Sequence, residues 1–513
     1  LSVGRTTDEQ SGTAFEYSEA LQPLSGRIFY SLKQNPYPTM ERTCGILLHP
    51  TSLPSPWKIG DIGEPAERFI DFLAAAGHRL WQLLPLNPTG GGYSPYDSGA
   101  VFAGNWLLIS LEKLQEQGLL GMEELEAVRE KDQRFLQNQT DYPGAERQKM
   151  PLLYKAFRRF KEQHGEEGDA YRAFLAEHAY WLEDHVRHQM TSERELWHDE
   201  PREGPGFRRF LQFIFFSQWA ALKAYAHHRG IQIIVDMPFY PAAGGADIIG
   251  HPRCFKLDAE GRPLAVSGVP ADSFSLEGQL WGTPVYHWRN LKKAGFSWWI
   301  QRMRHMQTLY DVIRMDHFRG FEAFWEVVPG AETAAEGRWL KGPGQQLFRA
   351  MKQALGTLPL IAEDLGHITP EVHNLRNILG IPGMRVHQTS PIRVDEPAEN
   401  IEHCVYYSGT HDHETLQEWV SKSREGDGND PETLHSAVWE VLHEIYESKA
   451  PWVIFPLQDI LGLGAEARMN RPGLAEGNWI WRLSPHTLTG TLAEQLRGMA
   501  EASGRIRKEG EVE

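Results

Sequence analysis

Cysteine is scarce in this chain: three in 513 residues, at positions 44, 254 and 404. They are too far apart for a C-x-x-C metal or redox pattern. They are too few to staple so large a chain, so an intracellular, cytoplasmic protein is expected. No run of about 18 apolar residues occurs, so no membrane span is expected. The first residues carry no basic patch followed by an apolar core, so no secretory signal is expected either. Positive charge is also short: 52 Lys and Arg stand against 68 Asp and Glu, a formal net charge of −16. That balance argues against nucleic acid or an anionic membrane as a general partner. There are no internal repeats and no low-complexity tracts. No nucleotide, pyridoxal or metal motif appears, so no cofactor and no metal are expected.

What the chain has is apolar and aromatic material. Hydrophobic residues make up 41% and charged residues 23%, the balance of a globular protein with a large core. Many of the 17 Trp, 16 Tyr and 23 Phe belong to a core, but sugar-binding clefts also need flat aromatic faces. Residues 1–39 are weakly patterned and are expected to form a poorly ordered extension ahead of a catalytic unit from 40 to 513. From there, short apolar runs alternate with helical stretches. The runs are Gly45–His49, Trp81–Leu86, Ile231–Met237, Val312–Asp316, Leu358–Glu363, Met384–Gln388, Cys404–Ser408 and Trp452–Leu457. Near-continuous apolar runs fit parallel strands covered on both faces. Eight of them separated by helices predict a (β/α)8 barrel. Two insertions interrupt it, after the second and third strands. Residues 111–207 are charged and helix-patterned, and residues 240–288 are rich in Gly, Pro, Asp and aromatics, as a cleft loop would be.

One stretch crowds charge onto a strand end. Val312 to Phe321 reads VIRMDHFRGF, with Arg314, Asp316, His317 and Arg319 within six positions. Residues two apart on a strand share a face, so Arg314 and Asp316 project together. A cation that close is expected to lower the pKa of Asp316 and keep it ionised, as a carboxylate nucleophile requires. A structural salt bridge would give the same pattern. Three further acids end strands or lie just past them: Asp236, Glu363 and Asp412. On a barrel all four converge on the C-terminal face, where catalytic groups sit. Glycoside cleavage needs such a set: a nucleophile or base, and a general acid of raised pKa. Asp364, of opposite parity to Glu363, reads as structural. The His-Asp-His at 411–413 is too tight for three ligands on one metal.

Several motifs in order carry a resemblance. They include His49-Pro-Thr-Ser-Leu-Pro-Ser, Ser94-Pro-Tyr, Phe255-Lys-Leu-Asp-Ala-Glu-Gly-Arg-Pro and Arg314-Met-Asp-His-Phe-Arg-Gly. Ala362-Glu-Asp-Leu-Gly, Gly409-Thr-His-Asp, Pro456-Leu-Gln-Asp and Gly462-Leu-Gly-Ala-Glu-Ala-Arg-Met-Asn follow, then Gly477-Asn-Trp-Ile-Trp-Arg. From about residue 42 to 495 the chain resembles the amylomaltases, the disproportionating 4-α-glucanotransferases of the α-amylase clan. The resemblance implies a barrel with inserted subdomains and no separate C-terminal β domain. It implies a retaining transfer of α-1,4-glucan segments to the 4-OH of glucose or another glucan. It implies Asp316 as nucleophile, Glu363 as general acid/base and Asp412 as transition-state stabiliser. Arg314 and His411 would hold the nucleophile and sugar hydroxyls, and Asp236 would bind sugar. Tyr96 would be an aromatic platform, Gln279 and Trp281 would line the cleft, and Asn478 would bind near the last strand.

The chain also departs from the family pattern. His413 and Glu414 stand where Asn and Asp are usual, Leu280 and Thr283 where an Arg and an Asn are, and Ser273 where a Tyr is. These changes bear on acceptor preference and product size. A mainly hydrolytic α-glucanase shares the same chemistry. A non-catalytic glucan-binding protein would lack a catalytic acid, and here none is missing.

Overall fold

The computed structural model describes residues 40–506 apart from 130–138, 164–167, 193–203, 272–277, 394–395, 398–400, 424–429 and 475. The expected extension at 1–39 and Ser273 lie outside the described residues. Twelve strands follow in chain order: β1 Thr43–Leu47, β2 Leu80–Leu83, β3 Gln232–Met237, β4 Val266–Val269, β5 Gln279–Pro284, β6 Val312–Met315, β7 Ala323–Val327, β8 Gly337–Lys341, β9 Leu360–Ala362, β10 Gly383–Val386, β11 Cys404–Tyr407 and β12 Trp452–Pro456.

Eight of them form a parallel sheet in the order β10-β11-β12-β1-β2-β3-β6-β9. Its two ends meet: the Ala362 N–H donates to the Pro382 carbonyl at 2.8 Å, and the Met384 N–H donates to Asp364 Oδ1 at 2.8 Å. The result is the (β/α)8 barrel. Its strands are buried on both faces, as their continuous apolar sequences require. Gly45 is needed where β1 meets β2, since a Cβ there would lie 2.4 Å from Leu80 Cβ. Helices such as Glu64–Ala75, Ser297–Leu309, Gln345–Leu355, Pro370–Leu379 and Pro431–Glu447 cover the outside. Among the described residues after Pro456 there is no further strand, and the chain closes on the helix Gly490–Ala502. No described helix is long and apolar enough to cross a membrane.

The 111–207 insertion contains the helices Leu111–Glu116, Met122–Val128, Tyr142–Gln163 and Asp169–Ser192. A buried lysine pins the third of them, Tyr142–Gln163: Lys149 Nζ donates to the Leu107 and Ile109 carbonyls at 2.6 and 2.8 Å and lies 3.4 Å from Asp61 Oδ2. Residues 240–288 are more regular than their weak periodicity suggests. They supply β4 and β5 to an antiparallel sheet of order β5-β4-β7-β8, standing beside the barrel mouth. Trp325 pairs with Trp339 across β7 and β8, with ring centroids 5.1 Å apart, a contact of the kind that fixes register.

Candidate active site

The ends of β3 and β6 set the floor. The Asp316 N–H donates to the Met237 carbonyl at 3.2 Å, continuing the ladder past the last residue of β6. Arg314 Nη1 reaches Asp236 Oδ2 at 2.5 Å and Asp316 Oδ1 at 3.2 Å, and its Nε donates to Met384 Sδ at 3.1 Å. Arg314 pulls the Asp316 pKa down, as expected, but it does not set the net shift. Burial pushes the Asp316 carboxyl up to about 8, and the charges of Asp236, Glu363 and Asp412 add to that rise, while Arg314 only opposes it. One guanidinium cannot neutralise a ring of acids, and its shorter contact goes to Asp236. Asp316 keeps 28% of its side chain exposed, the face open to a substrate.

Asp236 is wholly buried. Its Oδ2 also accepts the Tyr96 hydroxyl at 2.7 Å. Its Oδ1 has no protein partner among the described residues, so it remains able to accept a hydroxyl.

Glu363 follows the last residue of β9. Its Oε2 accepts the His317 N–H at 2.8 Å and its Oε1 the Leu365 N–H at 2.9 Å. His317 can aim its N–H there because its backbone is left-handed, with φ 48° and ψ 48°. A non-glycine residue in that region stores strain of about 1–3 kcal/mol, which is common at functional sites. Burial drives the Glu363 carboxyl up to about 6, against the pull of Arg314 and the two backbone N–H groups.

Asp412 behaves oppositely. Burial would raise it, but the His411 charge and hydrogen bond, the Asn470 hydrogen bond and Arg314 together hold it well below the usual carboxylate range. His411 Nε2 lies 3.3 Å from Asp412 Oδ2, and Asn470 Nδ2 donates to Oδ1 at 2.6 Å. Burial alone would depress His411, yet Asp412 beside it leaves its pKa raised. The His411 ring stacks on Tyr96 at 5.1 Å, and Trp479 packs against both at 5.9 and 5.8 Å. Asn470, on the Arg-Met-Asn turn after β12, is a site residue that the sequence pattern does not predict. Its reach to Asp412 depends on a loop path that local sequence does not encode.

β5 carries Gln279 and Trp281 to the mouth of the cleft. Trp281 is 37% exposed, its ring meets His317 edge-on at 4.8 Å, and its Nε1 donates to Gln279 Oε1 at 3.2 Å. Asn478 is spent on its own loop: Oδ1 accepts the Arg471 N–H at 2.9 Å and Nδ2 donates to the Leu474 carbonyl at 2.8 Å. Asp364 accepts from Arg376 Nη1 at 2.5 Å and from the Met384 backbone, the structural duty its parity indicated. His413 turns from His411 and bonds Thr410 Oγ1 at 2.7 Å, so the two imidazoles of the His-Asp-His run serve different neighbours.

A sequence profile described as 4-alpha-glucanotransferase matches residues 48–489. The chain belongs to the 4-alpha-glucanotransferase family. It is 42% identical over 509 residues to a 4-alpha-glucanotransferase of Thermus thermophilus, a match covering 91% of this chain and 100% of that one. It is 43% identical over 477 residues to that of Aquifex aeolicus, covering 86% and 95%. The fold matches an amylomaltase from Streptococcus agalactiae in complex with acarbose, with a TM-score of 0.82 and 33% identity over 91% of this chain and 100% of that one. The family match spans strands β2 to β12 and every site residue described above.

Proposed function

We propose that this 4-alpha-glucanotransferase moves α-1,4-glucan segments by double displacement at Asp316. In the first step an Asp316 oxygen bonds to the anomeric carbon while Glu363 gives its proton to the glycosidic oxygen, which leaves as the 4-OH of the shortened chain. In the second step the 4-OH of an acceptor glucose or glucan attacks that carbon. Glu363 takes the proton back and the Asp316 carboxylate departs. Two inversions give net retention. Asp412, held ionised, stabilises the positive charge that develops on the sugar ring. Asp236 and Arg314 bind sugar hydroxyls and hold Asp316, with Tyr96 as the flat wall and Gln279 and Trp281 at the acceptor side.

One observation carries this reading: two acids that both face Asp316 are driven in opposite directions. Glu363 is pushed up to about 6 while Asp412 is held down. Pairs of carboxyls split in this way divide the acid and charge-stabilising roles between them. The three free cysteines support a reducing compartment, and we assign the enzyme to the cytoplasm.

Incubation of the pure protein with maltotriose tests the reading. Transfer yields longer maltooligosaccharides together with free glucose. Shortening with no longer product would mean that water, not a sugar hydroxyl, resolves the intermediate.

A further inference from the structure

Three residues beyond the nucleophile, Arg319 is 7% exposed and takes no part in the chemistry described so far. Its guanidinium carbon lies 3.6 Å over the Trp339 ring of β8. Its Nη1 donates to the His367 carbonyl at 2.7 Å. The Trp339 and His367 rings are nearly parallel, 22° and 6.4 Å apart. Arg319 therefore ties three segments together: the turn after β6, the loop after β9, and the edge of the antiparallel sheet.

Those first two segments are the ones that hold Glu363. The His317 N–H on Oε2 comes from the turn after β6, two residues before Arg319. The Leu365 N–H on Oε1 comes from the loop after β9, two residues before His367. At their root the loops are joined by the Phe318 N–H and the Glu363 carbonyl at 3.0 Å. At their tips the Arg319 bond joins them. We propose that Arg319 is a positioning residue for the general acid: stacked on Trp339 and bonded to the His367 carbonyl, it locks the two loops whose backbone N–H groups aim Glu363 at the leaving oxygen. Lysine is a poor substitute, because only a planar guanidinium can lie flat on an indole while donating in its own plane. The inference rests on Glu363 being the general acid.

The surrounding charges set the sign of the pH effect. Arg319 faces Glu322 on its own turn, Glu371 on the helix Pro370–Leu379, and His317. Glu363 faces Arg314 and Asp316 from β6 and Asp364 beside it. The two N–H groups favour the ionised form of Glu363. Loosening them raises its pKa and moves the alkaline limb of activity upward.

The test compares two donors of different leaving-group need, maltotriose and α-glucosyl fluoride, in purified full-length variants. Glu363→Gln serves as the reference, and the loss on the fluoride is read in the first-turnover burst of fluoride release, because fluoride departs with little protonation while the second step still needs the Glu363 base. Arg319→Leu is expected to lose about 10- to 100-fold in kcat on maltotriose, part of the roughly 100- to 10,000-fold that general-acid catalysis contributes. Its loss on the fluoride should be under about threefold, its KM for maltotriose should stay within about twofold, and its alkaline limb should rise by about half a pH unit or more. Arg319→Lys should recover only part of the maltotriose rate. Trp339→Leu, which keeps the Arg319 charge, should show the same selectivity for the fluoride, and it decides the matter if Arg319→Leu does not fold. Equal losses on both donors with an unmoved alkaline limb, while Glu363→Gln remains selective, would overturn the role of Arg319. If Glu363→Gln itself slows both donors equally, the assignment of the general acid fails instead.

Discussion

Arg314 stands closer to Asp236 than to Asp316, 2.5 Å against 3.2 Å. Arg314 thus gives its better contact to a fully buried carboxylate and leaves the nucleophile with a share. Asp236→Asn should free Arg314 for Asp316 and remove a like charge from beside it. Both changes lower the Asp316 pKa, so both limbs of the kcat/KM–pH bell should move to lower pH. A full pH profile on maltotriose checks this, and an unmoved acid limb would show that Asp236 does not tune Asp316.

Asp316→Asn should abolish transfer, because an amide cannot form the glycosyl ester, and it should also raise the melting temperature at pH 7. The sign follows from the carboxyl being raised to about 8. Between an unfolded pKa of about 4 and that value, the folded state binds more protons than the unfolded chain, so stability falls as pH climbs through this window. The variant escapes that cost. With partial exposure screening the effect, a gain of about 1–3 kcal/mol is expected at pH 7. Below about pH 4 both states are protonated and the gain should vanish. Melting curves at pH 4 and pH 7 distinguish this from a gain independent of pH.

Leu280 sits on β5 beside Gln279 and Trp281 and is 37% exposed. An apolar Leu280 gives a sugar at this position no charged donor, which would be worth a hydrogen bond of about 1.5–3 kcal/mol. Leu280→Arg should tighten acceptor binding and lower the ratio of hydrolysis to transfer, with donor cleavage little changed. Glucose release measured against chain-lengthened product, at several acceptor concentrations, tests it. A constant ratio would mean that this position does not govern acceptor capture.

The barrel was legible because its strands bury both faces and so read as apolar runs, and the residue at which each acid meets its strand end follows from that. Asp316 and Glu363 come directly after Met315 and Ala362, the last residues of β6 and β9. The antiparallel sheet was not legible. Its outer strands β5 and β8 are only partly buried, and the register comes from cross-strand contacts such as Trp325 with Trp339. The charge state of Asp316 was misread for a related reason. Strand parity gives the near neighbour, Arg314, but not the three acids that other strands bring against it. Asn470 and Arg319 escaped for the same cause: each acts across loops, through a geometry fixed only once the barrel closes.

In the proposed mechanism Asp316 supplies the oxygen that bonds the sugar in the covalent intermediate. The most direct measurement is peptide mapping by mass spectrometry of Glu363→Gln incubated with α-glucosyl fluoride. In this variant the first step proceeds without protonation, while the second lacks its base, so the intermediate should accumulate. A hexosyl adduct on the peptide bearing Asp316, at that residue, is the predicted result. An adduct on Asp412 or Asp236, with Asp316 unmodified, would contradict it.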